Sequence, residues 1–432
     1  MVSGPGTSTR KKGLRMLRLR RATTSSAALL ALAVAAAIAT TGCDGSQAAA
    51  SPGPAVAAAD ELTPVVAVAG AGEALPVTGS DGKVHLLYEL RLANARSVPA
   101  TLLKVEAFDA ADPARVVGSL EGAALPAALR TLDNRGAAQP TIETGGSRLL
   151  LMHLAFDTPG AVPAALLHRL RILGGSIDAT NPTPVDQTYR AGPVAVSARA
   201  VPVLGPPLRG AGWVAINGCC EPAGVHRNTG LPVNGDIHFA QRFAIDWMRL
   251  SGQGRLVTGS EDDVAHYTAY GADVLAVADG TVVSALDTLD DQKPPLLPPP
   301  SAITLANVDG NHVVLDIGNG LYVFYAHLQR GTGGVKVRVG DRVSRGQSIG
   351  TLGNSGNSSA PHLHFHVMDG PSVLGSNGLP FVVDGYAYAG QITPAMAAAG
   401  GLGADFSAAR FARPQAQRQS FPLDFAVVDF AP

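Results

Sequence analysis

From about Glu61 to Leu204 apolar and polar positions alternate in short runs separated by turn residues, the period-two pattern of half-buried strands. Leu86, Tyr88, Leu90 and Leu92 alternate with His85, Glu89 and Arg91. The runs 103–108, 149–154 and 170–172 repeat the pattern, which predicts an immunoglobulin-like β-sandwich over residues 61–204. His85, His153 and His168 fall in or beside these strands and read as core or surface residues. No acid, base or nucleophile clusters there, so the module reads as a spacer or binding domain. Pro206-Pro207 marks a boundary. Beyond it Val274–Ala278 and Thr281–Val283 flank an Asp279-Gly280 turn, and Gly318-Asn319-Gly320 joins His312–Ile317 to Leu321–His327 as a hairpin. A further hairpin is expected from Val335–Val339 and Gln347–Leu352. Residues 205–395 thus read as a mainly antiparallel β domain, followed by a C-terminal extension at 396–432, and the whole chain is predicted to be all-β. The Pro-rich stretch 293–300 cannot supply a ladder's donors and is expected to be an inserted surface loop.

Composition adds an address. Arg10, Lys11, Lys12, Arg15, Arg18, Arg20 and Arg21 precede an uncharged apolar run at 26–39, too short to span a bilayer. With the small residues ending in Thr40-Thr41-Gly42-Cys43, this describes an export signal over residues 1–42, with Met16 a candidate start. The ending resembles a bacterial lipobox, although Thr40 stands where a Leu is usual, and it implies a membrane anchor through lipid on Cys43. Residues 43–60, rich in Ala, Ser, Pro and Gly, have the composition of a tether. The expected location is extracytoplasmic, in the bacterial cell envelope. Overall, 33 Lys and Arg nearly cancel 34 Asp and Glu, so no global basic field favours nucleic acid. Cys219 and Cys220 are adjacent and are open to a vicinal disulfide, free thiols or metal ligation.

The chemistry lies in the second half, which holds most of the eleven histidines. His362-Leu363-His364 in a strand points both imidazoles to one face, where they can share one metal or divide ligation from proton handling. A tight Gly- and Ser-rich loop, 353–361, precedes the pair, and Tyr325-Ala326-His327-Leu328 supplies another imidazole from a distant strand. Together with residues 339–350 and the run Pro361-His362-Leu363-His364-Phe365, this text resembles the lysostaphin/LytM-type zinc metallopeptidases, which cut peptide bonds in bacterial peptidoglycan. The resemblance covers roughly residues 210–390. It implies one zinc ion held by two His and one Asp, with His364 a ligand, Asp246 the carboxylate ligand, and His327 and His362 the catalytic pair. His366 stands where the family usually has Glu.

The first imidazole ligand is displaced, because Arg242 occupies the position where the family's His-x-x-x-Asp would place it. Two replacements are open, of which His226 is favoured and His238 is the alternative. His238, in an extended strand, would lie roughly 26 Å from Asp246 at ~3.3 Å per residue unless the chain folds back. His226 would come opposite Phe243 if Asn234-Gly235 centres a hairpin, and a one-residue bulge would bring it to the vacated place. Three protein ligands would leave a fourth zinc position for water. A zinc-dependent peptidoglycan endopeptidase is therefore expected, with an inactive cell-wall-binding or hydrolase-regulating lipoprotein of the same fold as the alternative. A serine hydrolase is disfavoured because no Gly-x-Ser-x-Gly follows a parallel strand.

Overall fold

In the computed structural model, residues 60–175 and 183–432 are described; the export signal, Cys43 and the tether through residue 59 lie outside them. Strands predominate and their ladders are almost all antiparallel, so the all-β class expected from the alternating pattern is the one observed. Among the described residues no helix is long and apolar enough to cross a membrane.

Two five-stranded antiparallel sheets make up the first module. One orders Val65–Ala69, Val84–Asn94, Ser147–Phe156 and Leu129–Arg130, with Val77–Thr78 also on Val84–Asn94. The other orders Pro184–Ala195, Ala165–Gly175, Ala100–Asp109 and Asp112–Glu121, with Thr141–Ile142 also on Ala100–Asp109. Leu86, Leu90, Leu150, Val105, Leu170 and Ile172 share the core between them. Each such side chain removed from water contributes about 1.5–3 kcal/mol. The alternation misleads on the opposite face of Val84–Asn94. His85 and Glu89 sit at polar positions of the pattern, yet both are buried. Leu87, on that same face, joins Trp213, Phe243 and Trp247 in the core formed by the later residues. This sheet is thus covered on both sides.

The later residues build one large antiparallel sheet. Its order is Arg342–Val343, Gly280–Leu286, Asn311–Asp316, Tyr322–Leu328, Leu363–Met368, Ile245–Arg249, Trp213–Ile216, Ala426–Asp429, Tyr386–Gln391 and Arg410–Gln417. The hairpin across 318–320 forms as the pattern predicts. The expected pairing of 335–339 with 347–352 is reduced to a single Lys336 N–H to Ile349 carbonyl bond, because Ser348–Thr351 pairs with Asp273–Leu275 instead. Likewise Asp273–Leu275 and Gly280–Leu286 flank the Asp279 turn but enter different sheets. Residues 396–432, set apart by sequence as an extension, contribute two strands to the large sheet, and Ala426–Asp429 lies between Trp213–Ile216 and Tyr386–Gln391. Cys219 and Cys220 are joined to each other in a disulfide.

Along Leu363–Met368 the two faces differ. Leu363, Phe365 and Val367 enter the core with Ile245 and Trp247 from the neighbouring strand. The period of two then obliges His364 and His366 to point the other way. That second face carries the candidate site.

Candidate metal centre

Register brings the site together. Leu363–Met368 lies between Tyr322–Leu328 and Ile245–Arg249, so Asp246, His364 and Ala326 form one row across three strands. His327 follows Ala326 at a bulge, where Ala326 and His327 together face the single residue His312. The extra residue takes φ 60°, a left-handed conformation uncommon outside glycine, and such bulges re-aim side chains. Its Nδ1 lies 2.8 Å from the Ser355 carbonyl, and Ser355 Oγ in turn donates to the Leu328 carbonyl. The loop bearing Ser355 packs against Gly310, and a Cβ at Gly356, whose φ is +75°, would lie 2.2 Å from the Gly310 nitrogen. Glycine is required at that contact.

Three of the imidazoles are held by carbonyls that dictate their tautomer. A carbonyl only accepts, so Nδ1 carries the proton in His226 (to Ala244 O, 3.1 Å), His327 (to Ser355 O) and His362 (to Ala360 O, 2.7 Å). All three are left with a bare Nε2. The His226 and His362 Nε2 atoms lie 3.3 Å from Asp246 Oδ2 and Oδ1 respectively. His364 uses the other nitrogen, its Nδ1 2.9 Å from Asp246 Oδ1, while Nε2 is 2.9 Å from His366 Nδ1. Asn217 donates to Asp246 Oδ2 at 2.7 Å.

This convergence of lone pairs calls for a cation. Donor atoms of His226, Asp246 and His364 lie within 4.8 Å of one another, as do those of His327, His362 and His364. Two imidazole nitrogens and a carboxylate are a donor set that suits zinc, and the outer nitrogen of each imidazole is held, that of His226 by the Ala244 carbonyl and that of His364 by His366 Nδ1. Burial pushes the Asp246 carboxyl up, but the His226 and His362 imidazoles outweigh it and hold the group well below the usual carboxylate range. Burial lowers His362 and His226, and Asp246 more than compensates, so both are raised. Burial keeps His327 and His366 well below the usual imidazole range and takes His364 to about 4.

The five residues open on a cleft of about 450 Å³, also lined by Asn217, Asp309, Ser358 and, from the Pro-rich segment, Leu297. That segment is an irregular loop at the cleft edge, tied down by Asp291 Oδ1 accepting from the Asn354 N–H at 2.7 Å. His238 stands apart, in the short strand Asp236–His238 paired with Leu231–Val233, and belongs to neither donor group. The hairpin register about Asn234-Gly235 matches the expectation, pairing Leu231 with His238, but the ladder ends there. His226 reaches Asp246 instead from the loop before the hairpin. The chain also turns at 240–243 rather than running extended to Asp246. Asn217 and Asp309 escape a search by residue type, though the Asn217-Gly218 pair carries a turn signal and Asn217 has φ 58°.

Residues 263–375 match the model of Peptidase family M23, and the chain carries a peptidase domain of that family. That segment holds His327, His362 and His364; His226 and Asp246 precede it. Among curated proteins the chain is 42% identical over 59 residues to the peptidoglycan DD-endopeptidase ShyA of Vibrio cholerae, covering 14% of this chain and 13% of that protein. It is 45% identical over 60 residues to the glycyl-glycine endopeptidase ALE-1 of Staphylococcus capitis, covering 14% and 16%. The chain thus spans only a small part of these relatives. Among solved structures, the lysostaphin catalytic domain from Staphylococcus simulans aligns over 35% of this chain and 85% of its own, at 25% identity and a TM-score of 0.21. A zinc-containing peptidase from Vibrio cholerae aligns over 68% and 82%, at 13% identity and a TM-score of 0.21.

Proposed function

We propose that this chain is a zinc-dependent endopeptidase that hydrolyses peptide bonds in bacterial peptidoglycan stems or cross-bridges. It acts outside the cytoplasm, tethered to the membrane by lipid on Cys43. The observation that carries this reading is the meeting of His226, Asp246 and His364 beside His327 and His362 in one cleft.

In this reading His226 Nε2, an Asp246 oxygen and His364 Nδ1 hold the metal. When bound, zinc supplies Lewis acidity that polarises a carbonyl and makes water a nucleophile near neutral pH. The bare Nε2 atoms of His327 and His362 face the same space, their rings 4.6 Å apart. Between them they accept the proton of the attacking water and return one to the leaving amine. The low intrinsic basicity of buried His327 favours its serving as a hydrogen-bond partner in neutral form. Leu297 and the loop around it border the cleft and are positioned to select among peptide side chains.

The alternative, an inactive wall-binding protein, draws on the absence of an imidazole at position 242. Arg242 does not enter the donor groups, and His226 offers the nitrogen that would be missing. Digestion of purified sacculi by the zinc-loaded protein, followed by chromatography of released muropeptides, tests the proposal. New fragments that a chelator abolishes are expected; no fragments under zinc-replete conditions would favour the alternative.

A further inference from the structure

Residues 218–230, which carry His226, contain no strand. Such a segment has few ladder bonds to fix it, and it is instead gripped by side chains of the first module. Arg130 Nε donates to Asn228 Oδ1 at 2.7 Å and its guanidinium to the Pro222 carbonyl at 3.0 Å. Asn134 donates to the Gly230 carbonyl. Arg227, next to His226, runs the other way, into the first module, where it meets Glu89 and the Tyr88 and Met152 carbonyls.

Glu89 has a second arginine. Arg242 donates to both of its carboxylate oxygens, at 3.0 Å through Nε, and to the Ala71 carbonyl at 2.9 Å. All three charged side chains are 1% exposed. Burial opposes ionisation of Glu89, but Arg242 and Arg227 outweigh it and hold the carboxyl below its ordinary range. One carboxylate therefore fastens two arginines of the later residues, one adjacent to His226 and the other in the turn four residues before Asp246.

We propose that Glu89 is a positioning residue for the metal centre: through Arg227 it seats the loop that presents His226, and through Arg242 the turn that delivers Asp246. The inference rests on the reading of His226 and Asp246 as ligands. It links two departures from the family's pattern, because Arg242 and, through Arg227, the loop that presents His226 are held by the same carboxylate. Ligand atoms must be held within about 0.5 Å of a productive geometry, and loops do this poorly unless supported. The first module supplies that support here.

The test is zinc affinity of the full chain, measured by competition with a chromogenic chelator, with the absorption spectrum of the cobalt-substituted protein as a reporter of ligand geometry. Glu89→Gln should weaken zinc binding about 10–100-fold, the range for loss of an outer partner. Glu89→Asp should recover part of it. Arg130→Ala, which loosens the same loop outside the ion cluster, should also weaken binding, and it decides alone if near-ultraviolet circular dichroism shows Glu89→Gln unfolded. Wild-type affinity and cobalt spectrum in folded Glu89→Gln and Arg130→Ala, with zinc lost in His226→Ala, would overturn the positioning role and leave the ligand reading intact. Wild-type zinc affinity in His226→Ala would overturn the ligand reading and the positioning proposal with it.

Discussion

Asp246 and His364 face each other across adjacent antiparallel strands, and His364 Nδ1 lies 2.9 Å from Asp246 Oδ1. Sheet register alone sets this pair, and both side chains are buried. His226, His327 and His362 then arrive from a loop, a bulge and a strand entrance. The rigid pair and the three added imidazoles predict different responses to substitution.

Removal of His362 should separate binding from turnover. Its Nε2 sits at the cleft while its Nδ1 is tied to the Ala360 carbonyl. His362→Ala is expected to retain zinc and to lose about 10²–10⁴-fold in turnover, the usual contribution of a proton-handling group. Elemental analysis with muropeptide release rates checks it; zinc lost in parallel with activity would make His362 a ligand.

Asp309 predicts a pH dependence. It lines the cleft, and burial pushes its carboxyl from 3.8 to about 7. The folded chain then holds this proton more tightly than the unfolded one, so the contribution is favourable below about 4 and is lost as pH rises through 7. Asp309→Asn should flatten the fall in stability of the zinc-free protein across that interval. Denaturant midpoints against pH measure the difference, and identical slopes in both proteins would refute it.

Much of this was legible in sequence because period-two patterns and turn dipeptides are local. The hairpin across Gly318-Asn319-Gly320 and the one-sided pair His362 and His364 follow from spacing alone. Glu89 did not, since alternation places it outside its own sandwich and cannot know that another core covers that face. The position of His226 beside Asp246 was inferred from a hairpin that ends at Leu231 and His238, so the proximity arises by a different path. The hydrogen bonds from Asn217 to Asp246 and from His327 to the Ser355 carbonyl are long-range contacts that no spacing encodes.

Cys43 predicts the address. If it is acylated, Cys43→Ser should shift the protein from the membrane fraction to the soluble extracytoplasmic fraction. Fractionation followed by immunoblotting reads this directly, and unchanged membrane association would remove the lipid anchor from the proposal.

Zinc content in the two alternative histidine variants bears most directly on the metal centre. Losing one of three protein ligands weakens a site severely. Purified His226→Ala, dialysed against zinc and then buffer, should hold well under one zinc per chain, whereas His238→Ala should hold one like the wild type. Full zinc in His226→Ala, with loss in His238→Ala or in neither, would contradict the assignment of His226, Asp246 and His364 as the ligands.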